Sequence, residues 1–123
     1  MTWQLIPILA EARQRGASDV HLVRDIVPSL RIAGQLQRLV GEPLDASTLR
    51  GFLEEVATSS QIESFQRDRQ LCLALEPAGV GRIRVGIYQR SGCPEMAIRL
   101  SETSIRSAAD LRLPPIVKEL TYR

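Results

Sequence analysis

Four arginines of this sequence fall where they could act on one anion: Arg82, Arg84, Arg90 and Arg99. Residues 80–90 alternate in character. Ile83, Val85 and Ile87 occupy one face of an extended segment, and Arg82, Arg84, Tyr88 and Arg90 occupy the other. The apolar face calls for a core, and the arginine face calls for solvent or an anion. A second alternating run, Met96-Ala97-Ile98-Arg99-Leu100, follows Ser91-Gly92-Cys93-Pro94, so the two runs read as a hairpin with a loop of several residues. Pairing would bring Arg99 onto or near the face that carries Arg84. Convergent guanidinium groups favour bidentate contact with phosphate or carboxylate, whereas a solvated arginine face is the plainer reading of composition alone.

A second group lies upstream. Asp19 and His21 share one strand face, and Arg31 on the following strand could lie beside either. A catalytic dyad would need a nucleophile, and the adjacent Ser18 points elsewhere, so we read His21 as a structural histidine hydrogen-bonded at a strand edge. Arg31 is expected to form a structural ion pair there, worth little if exposed. Arg67-Asp68-Arg69 reads as a solvated turn. No phosphate loop of the form G-x-x-x-x-G-K-[ST] is present, since the single lysine is Lys118. Gly79-Val80-Gly81 precedes a strand and cannot open a dinucleotide-binding helix. Cys72 and Cys93, with His21 far upstream, make no zinc pattern, so no metal site is expected. Both cysteines read as reduced thiols, with Cys72 packed in a strand.

The elements that position these residues follow from periodicity. Leu5, Ile8, Leu9 and Ala12 recur at helical spacing, with Gly16 as the stop. Three short strands then fit into residues 19–40, with Gly34-Gln35 as a tight connection, so they must form an antiparallel meander. Asp45 is a helix N-cap ahead of the stripe Leu49, Phe52, Leu53 and Val56. Ser60 and Glu63 form a capping-box pattern before a helix carrying Ile62 and Phe65. Leucines 71, 73 and 75 alternate as in a half-buried strand. Residues 107–113 could hold one helical turn, and Pro114-Pro115 opens a further helix. The order predicts an α+β domain with an antiparallel sheet and packed helices.

The totals agree. A chain of 123 residues with 44% hydrophobic and 24% charged content suits one domain with its own core. A formal charge of +2 does not demand nucleic acid, and arginines without interleaved exposed aromatics argue against base stacking. The first residues are too short and too poor in basic groups for a signal peptide, and no apolar run approaches a membrane span.

Several segments line up with one family. Gly16-Ala17-Ser18-Asp19-Val20-His21-Leu22 resembles the G-A-S-D-[LIV]-H-[LF] element of PilT-type twitching-motility ATPases, members of the wider secretion and pilus ATPase family that includes GspE. Leu30-Arg31-Ile32-Ala33-Gly34-Gln35-Leu36 resembles their R-x-D-G-x-[LV] strand pair. Gly79-Val80-Gly81-Arg82-Ile83-Arg84-Val85 resembles G-x-x-R-[FY]-R-[VI], Gln89-Arg90-Ser91-Gly92 the Q-R-x-G turn, and Ile98-Arg99-Leu100 the [FL]-R-x-[IL] strand. Residues 109–120 resemble the L-x-L-P-x-[IV] segment that leads toward the ATPase core. Order and spacing hold over essentially the whole chain.

The resemblance implies a PAS-like N-terminal domain over residues 1–113, with a six-stranded antiparallel sheet. Residues 114–123 would begin a linker toward a RecA-like ATPase domain that this sequence lacks. It implies ATP and Mg2+ as cofactors of a longer, hexameric pilus or secretion motor, at work in the cytoplasm against an inner-membrane platform protein. This chain alone would not be catalytic. By motif position, Arg84 and Arg99 would reach the nucleotide phosphates, with Arg82 and Arg90 as neighbours, and Asp19, His21 and Arg31 would be structural. Two departures remove acids that could pair with the arginines. Ala33 stands where the family has aspartate, and Gln70-Leu71-Cys72-Leu73-Ala74 replaces an acidic segment. A free-standing PAS-like sensory or interaction module is the alternative reading.

Overall fold

The computed structural model describes residues 3–101. The boundary expected near residue 113, and the helix expected from Pro114, lie outside the described residues. Within them the order is α1 (Leu5–Gln14), β1 (Asp19–Leu22), β2 (Ser29–Ile32), β3 (Gln35–Arg38), α2 (Ala46–Val56), α3 (Ser59–Asp68), β4 (Gln70–Leu75), β5 (Ile83–Arg90) and β6 (Cys93–Leu100). The strands form one six-stranded antiparallel sheet in the order β3-β2-β1-β6-β5-β4. This is the expected α+β architecture. The central pair, β1 and β6, joins the first and last strands of the described residues.

One face of the sheet is apolar and buried. Val20, Leu22, Leu30, Leu73, Ile83, Val85, Ile87, Met96, Ile98 and Leu100 join Leu5, Ile8, Leu9, Leu49, Phe52, Leu53 and Phe65 of the helices in a single core. Period-two strands and period-3.6 helices each present one apolar side, and packing those sides together removes both from water. Asp45 caps α2 by accepting a hydrogen bond from the Thr48 amide at 2.8 Å, as its position predicts.

Several local expectations shift. The capping box at α3 is Thr58 with Gln61, not Ser60 with Glu63. Both pairs satisfy the pattern, and the helix begins at the earlier one. Arg67-Asp68-Arg69 ends that helix instead of forming a separate turn, with Arg69 left-handed at φ 68°. Cys72 lies in β4 as expected but is exposed, because Leu71 and Leu73 take the inner side; the buried thiol is Cys93. The β2–β3 link has the expected two residues but lies one position earlier, and the β5–β6 turn is tighter than expected. Ala33-Gly34, at φ 52° and 82°, links β2 to β3, and Ser91-Gly92, at φ 52° and 75°, links β5 to β6. Two consecutive positive φ values are the mark of a type I′ turn, whose twist matches the flanking strands. The arginine hairpin therefore has a two-residue turn, and Cys93 and Pro94 belong to its second strand.

Candidate functional site

The site is a row of side chains on the sheet face opposite the described helices. Strand pairing sets Arg84 of β5 directly opposite Arg99 of β6, Arg99 opposite Asp19 of β1, and Asp19 opposite Arg31 of β2. Four strands thus contribute a line of charges, positive, positive, negative, positive. Side chains directly opposite on neighbouring strands lie about 5 Å apart at Cβ, so each member feels the next. Arg84 and Arg99 are both exposed.

The anion of the row is held firmly. The Asp19 side chain is 18% exposed, accepts a hydrogen bond from the Ser18 hydroxyl at 2.7 Å, and meets Arg99 Nε at 3.3 Å. Burial pushes the Asp19 carboxyl up. The Ser18 hydroxyl, Arg99 and the fields of Arg99 and His21 together outweigh burial and hold it below the usual carboxylate range. The Arg99 side chain is 74% exposed and meets Asp19 through Nε alone, so it keeps terminal nitrogens for another acceptor. Arg84 has no hydrogen-bond or ion-pair partner among the described residues.

The neighbouring row on the same face begins with small groups beside the arginine pair. Gly86, Ala97, His21 and Ser29 are aligned by register, and the first two leave open space beside the arginine pair. A Cβ on Gly86 would meet only the Ala97 carbonyl, at 3.6 Å. His21 sits on the central strand β1, between β2 and β6. The ion pair expected of Arg31 is also corrected. Arg31 donates to the Gly34 carbonyl at 3.4 Å, and Asp19 pairs with Arg99 instead.

The other two predicted arginines stand apart from the pair. Arg82 precedes β5 and lies 3.9 Å from the Glu76 carboxylate. Arg90 is six residues from Arg84 at the hairpin tip, about 20 Å along the strand. There it meets Glu95, whose side chain is 3% exposed, at 3.3 Å. Glu95 also accepts from the Arg24 amide at 3.1 Å, which ties the hairpin to the segment after β1. Beside it, burial first and the Glu95 charge second push the Tyr88 hydroxyl up.

Two contributors were not legible in advance. Arg13 suits the last turn of α1 by its charge, but its guanidinium does more. It donates to the carbonyls of Val80 at 2.7 Å, Arg82 at 3.3 Å and Ser101. These carbonyls flank the entry to β5 and the exit from β6, so Arg13 fixes the open end of the hairpin, next to Arg84 and Arg99. Asp19 was read as structural, and its partner became visible only through the pairing of β1 with β6. On the helical side of the sheet, a groove of about 540 Å³ runs between α1 and α2, with Trp3, Ile6, Thr48 and Phe52 among its lining residues. No three His, Cys, Asp or Glu side chains gather as metal ligands among the described residues. These residues do not fit a magnesium site. No described helix is long and apolar enough to cross a membrane.

The arrangement can do one kind of chemistry well. Two forked, permanently charged donors side by side on a rigid ribbon can grip a phosphate or carboxylate, but they supply neither nucleophile nor general base.

No protein-family model matches the chain. Among curated proteins it is similar to the type IV pilus ATPase PilU of Pseudomonas aeruginosa, 27% identical over 107 residues, 87% of this chain and 28% of that one. It is similar to the type IV pilus retraction ATPase PilT of the same organism, 22% identical over 114 residues, 93% of this chain and 33% of that one. Among solved structures, the pilus retraction motor PilT with bound ADP superposes with a TM-score of 0.77 at 27% identity, over 98% of this chain and 36% of that one. The ATPase DotB of Legionella pneumophila shares the fold, with a TM-score of 0.70 at 14% identity over the whole of this chain and 36% of its own. The chain thus spans roughly a third of the length of the proteins it matches.

Proposed function

We propose that this chain, a relative of the PilT-type ATPases over nearly all its length, is the nucleotide-sensing N-terminal domain of a pilus or secretion motor. In this reading Arg84 and Arg99 close over the terminal phosphate of a nucleotide held by a RecA-like domain of the same or a neighbouring subunit. The observation that carries it is the direct opposition of Arg84 and Arg99 on an open sheet face. Like charges directly opposite one another destabilise a sheet, and an anion between them turns that cost into binding. An arginine pair on a stiff ribbon can distinguish a terminal phosphate from its absence and pass the difference on as rotation of the whole domain. Arg90 and Arg82 belong to this reading as supports at the two ends of the hairpin.

The full motor would be a hexamer using ATP and Mg2+, working in the cytoplasm against an inner-membrane pilus or secretion platform, and pilus retraction is the role closest to the PilT likeness. The metal would be held by the nucleotide and by residues beyond those described. The test is ATP turnover in the full-length protein with Arg84→Ala and Arg99→Ala. Each is expected to lower kcat by tenfold or more, the scale for removing one donor from a developing charge. Unchanged turnover and nucleotide affinity in both variants would overturn the proposal.

A further inference from the structure

We propose that Asp19 is a resident anion that holds Arg99 until a phosphate replaces it, so that nucleotide binding at this site is an exchange of partners and not a simple addition. The inference rests on the reading that Arg84 and Arg99 receive a phosphate.

The asymmetry of the ion pair carries it. Asp19 is the fixed member: mostly buried, hydrogen-bonded by Ser18, and flanked by arginines on both neighbouring strands, Arg99 on β6 and Arg31 on β2. Arg99 is the movable member, 74% exposed and joined through one nitrogen at 3.3 Å, not through a two-pronged fork. A single-point contact of this exposure is weak and readily exchanged. The register also sets the direction of exchange. On the far side of Arg99 from Asp19 lies Arg84, without a partner among the described residues, and beyond the pair lies the open ground of Gly86 and Ala97. A phosphate entering there draws Arg99 toward Arg84 and away from β1.

Asp19 then acts in two ways. With no phosphate bound it offsets one of the two opposed positive charges and limits the repulsion within the hairpin. While phosphate binds, its negative charge lies one strand spacing from Arg99 and two from Arg84, and it repels the ligand. Asp19 therefore lowers affinity and sets a threshold: a doubly charged terminal phosphate displaces it more readily than a singly charged group does. This is a restraint built into the sheet, acting on Arg99 and not on the nucleotide directly.

The experiment titrates the chain with inorganic tripolyphosphate and follows the arginine Nε–H and carboxyl carbon resonances by NMR. Asp19→Asn is expected to tighten binding by roughly fivefold at low salt, the effect of removing one charge about 8 Å from a divalent group in a largely aqueous setting, and the gain should shrink as salt is added. Equal or weaker binding by Asp19→Asn would overturn the exchange. A second measurement needs no change at Asp19. On saturation of the wild-type chain, the Asp19 carboxyl carbon should move to the position it has in Arg99→Ala. If it stays in place while Arg84 and Arg99 report binding, the phosphate site stands and the exchange falls. Absence of binding at Arg84 and Arg99 in wild type and variant alike would overturn both the site and the exchange.

Discussion

The two faces of strand β6 obey different rules. Met96, Ile98 and Leu100 point into the core beneath the helices and are 0%, 1% and 6% exposed. Ala97 and Arg99 alternate with them on the open face and are exposed. The first set is fixed by packing, where volume and shape decide which residue is tolerated. The second set touches little, and its meaning lies in which strands bring which charges together. The difference teaches that stability and candidate function are carried by alternate residues of the same strand, and so can be altered separately.

The sharpest break of that separation is made on the buried side. Ile98→Ala should destabilise the domain by about 2–5 kcal/mol, the usual range for emptying a core site, as read by denaturant unfolding. If Arg84 and Arg99 bind phosphate as proposed, the folded fraction should bind it with unchanged affinity. A change of phosphate affinity in the folded protein would show that the faces are coupled.

Arg13 tests the tie between α1 and the open end of the hairpin. Arg13→Ala strands three carbonyl acceptors around the ends of β5 and β6 and should cost roughly 2 kcal/mol. Amide exchange should quicken first at Ser101, which donates to the Arg82 carbonyl at 3.1 Å, and not in β1. Uniform acceleration throughout the sheet would make Arg13 an ordinary stabilising residue.

The turns sharpen the comparison with a gain instead of a loss. Ala33 holds φ 52° in a two-residue turn, a conformation that asparagine and aspartate adopt more easily than alanine. Ala33→Asn should raise stability by about 1 kcal/mol, as read by denaturant unfolding, and leave any phosphate binding at the proposed site unchanged.

A smaller effect concerns acid. Because the folded protein holds the Asp19 carboxyl below its ordinary value, Asp19 contributes stability above the unfolded carboxylate pKa of about 4. That contribution is lost as pH falls through its lower folded value. Asp19→Asn should therefore flatten the pH dependence of unfolding in that acid window and leave it unaltered near neutrality. An identical acid profile would mean that the Ser18 and Arg99 contacts do not stabilise the charge.

Much of this was legible because local rules govern it. The alternation of residues 83–87, the Asp45 cap and the stripe of Leu49, Phe52 and Leu53 each need only a few neighbouring residues. The β5–β6 pairing was legible too, since a hairpin joins strands adjacent in sequence. The link between Arg99 and Asp19 was not. These residues are eighty positions apart, and only closure of the sheet through β1 and β6 sets their register. Cys72 was rightly placed in a strand but wrongly expected to be packed, although the parity of Leu71 and Leu73 already assigns it to the other face. Arg31 was paired with the wrong partner because two arginines compete for one carboxylate, and the nearer donor geometry belongs to Arg99.

The most direct test of the central claim is a double-mutant cycle on Arg84 and Arg99 in the full-length protein, reading the ratio of ATP to ADP affinity. If the two arginines grip one terminal phosphate, each single alanine variant collapses the preference for ATP, and the double variant loses little more than either alone. Fully additive losses, or an intact preference for ATP in the double variant, would show that the opposed arginines do not share a phosphate.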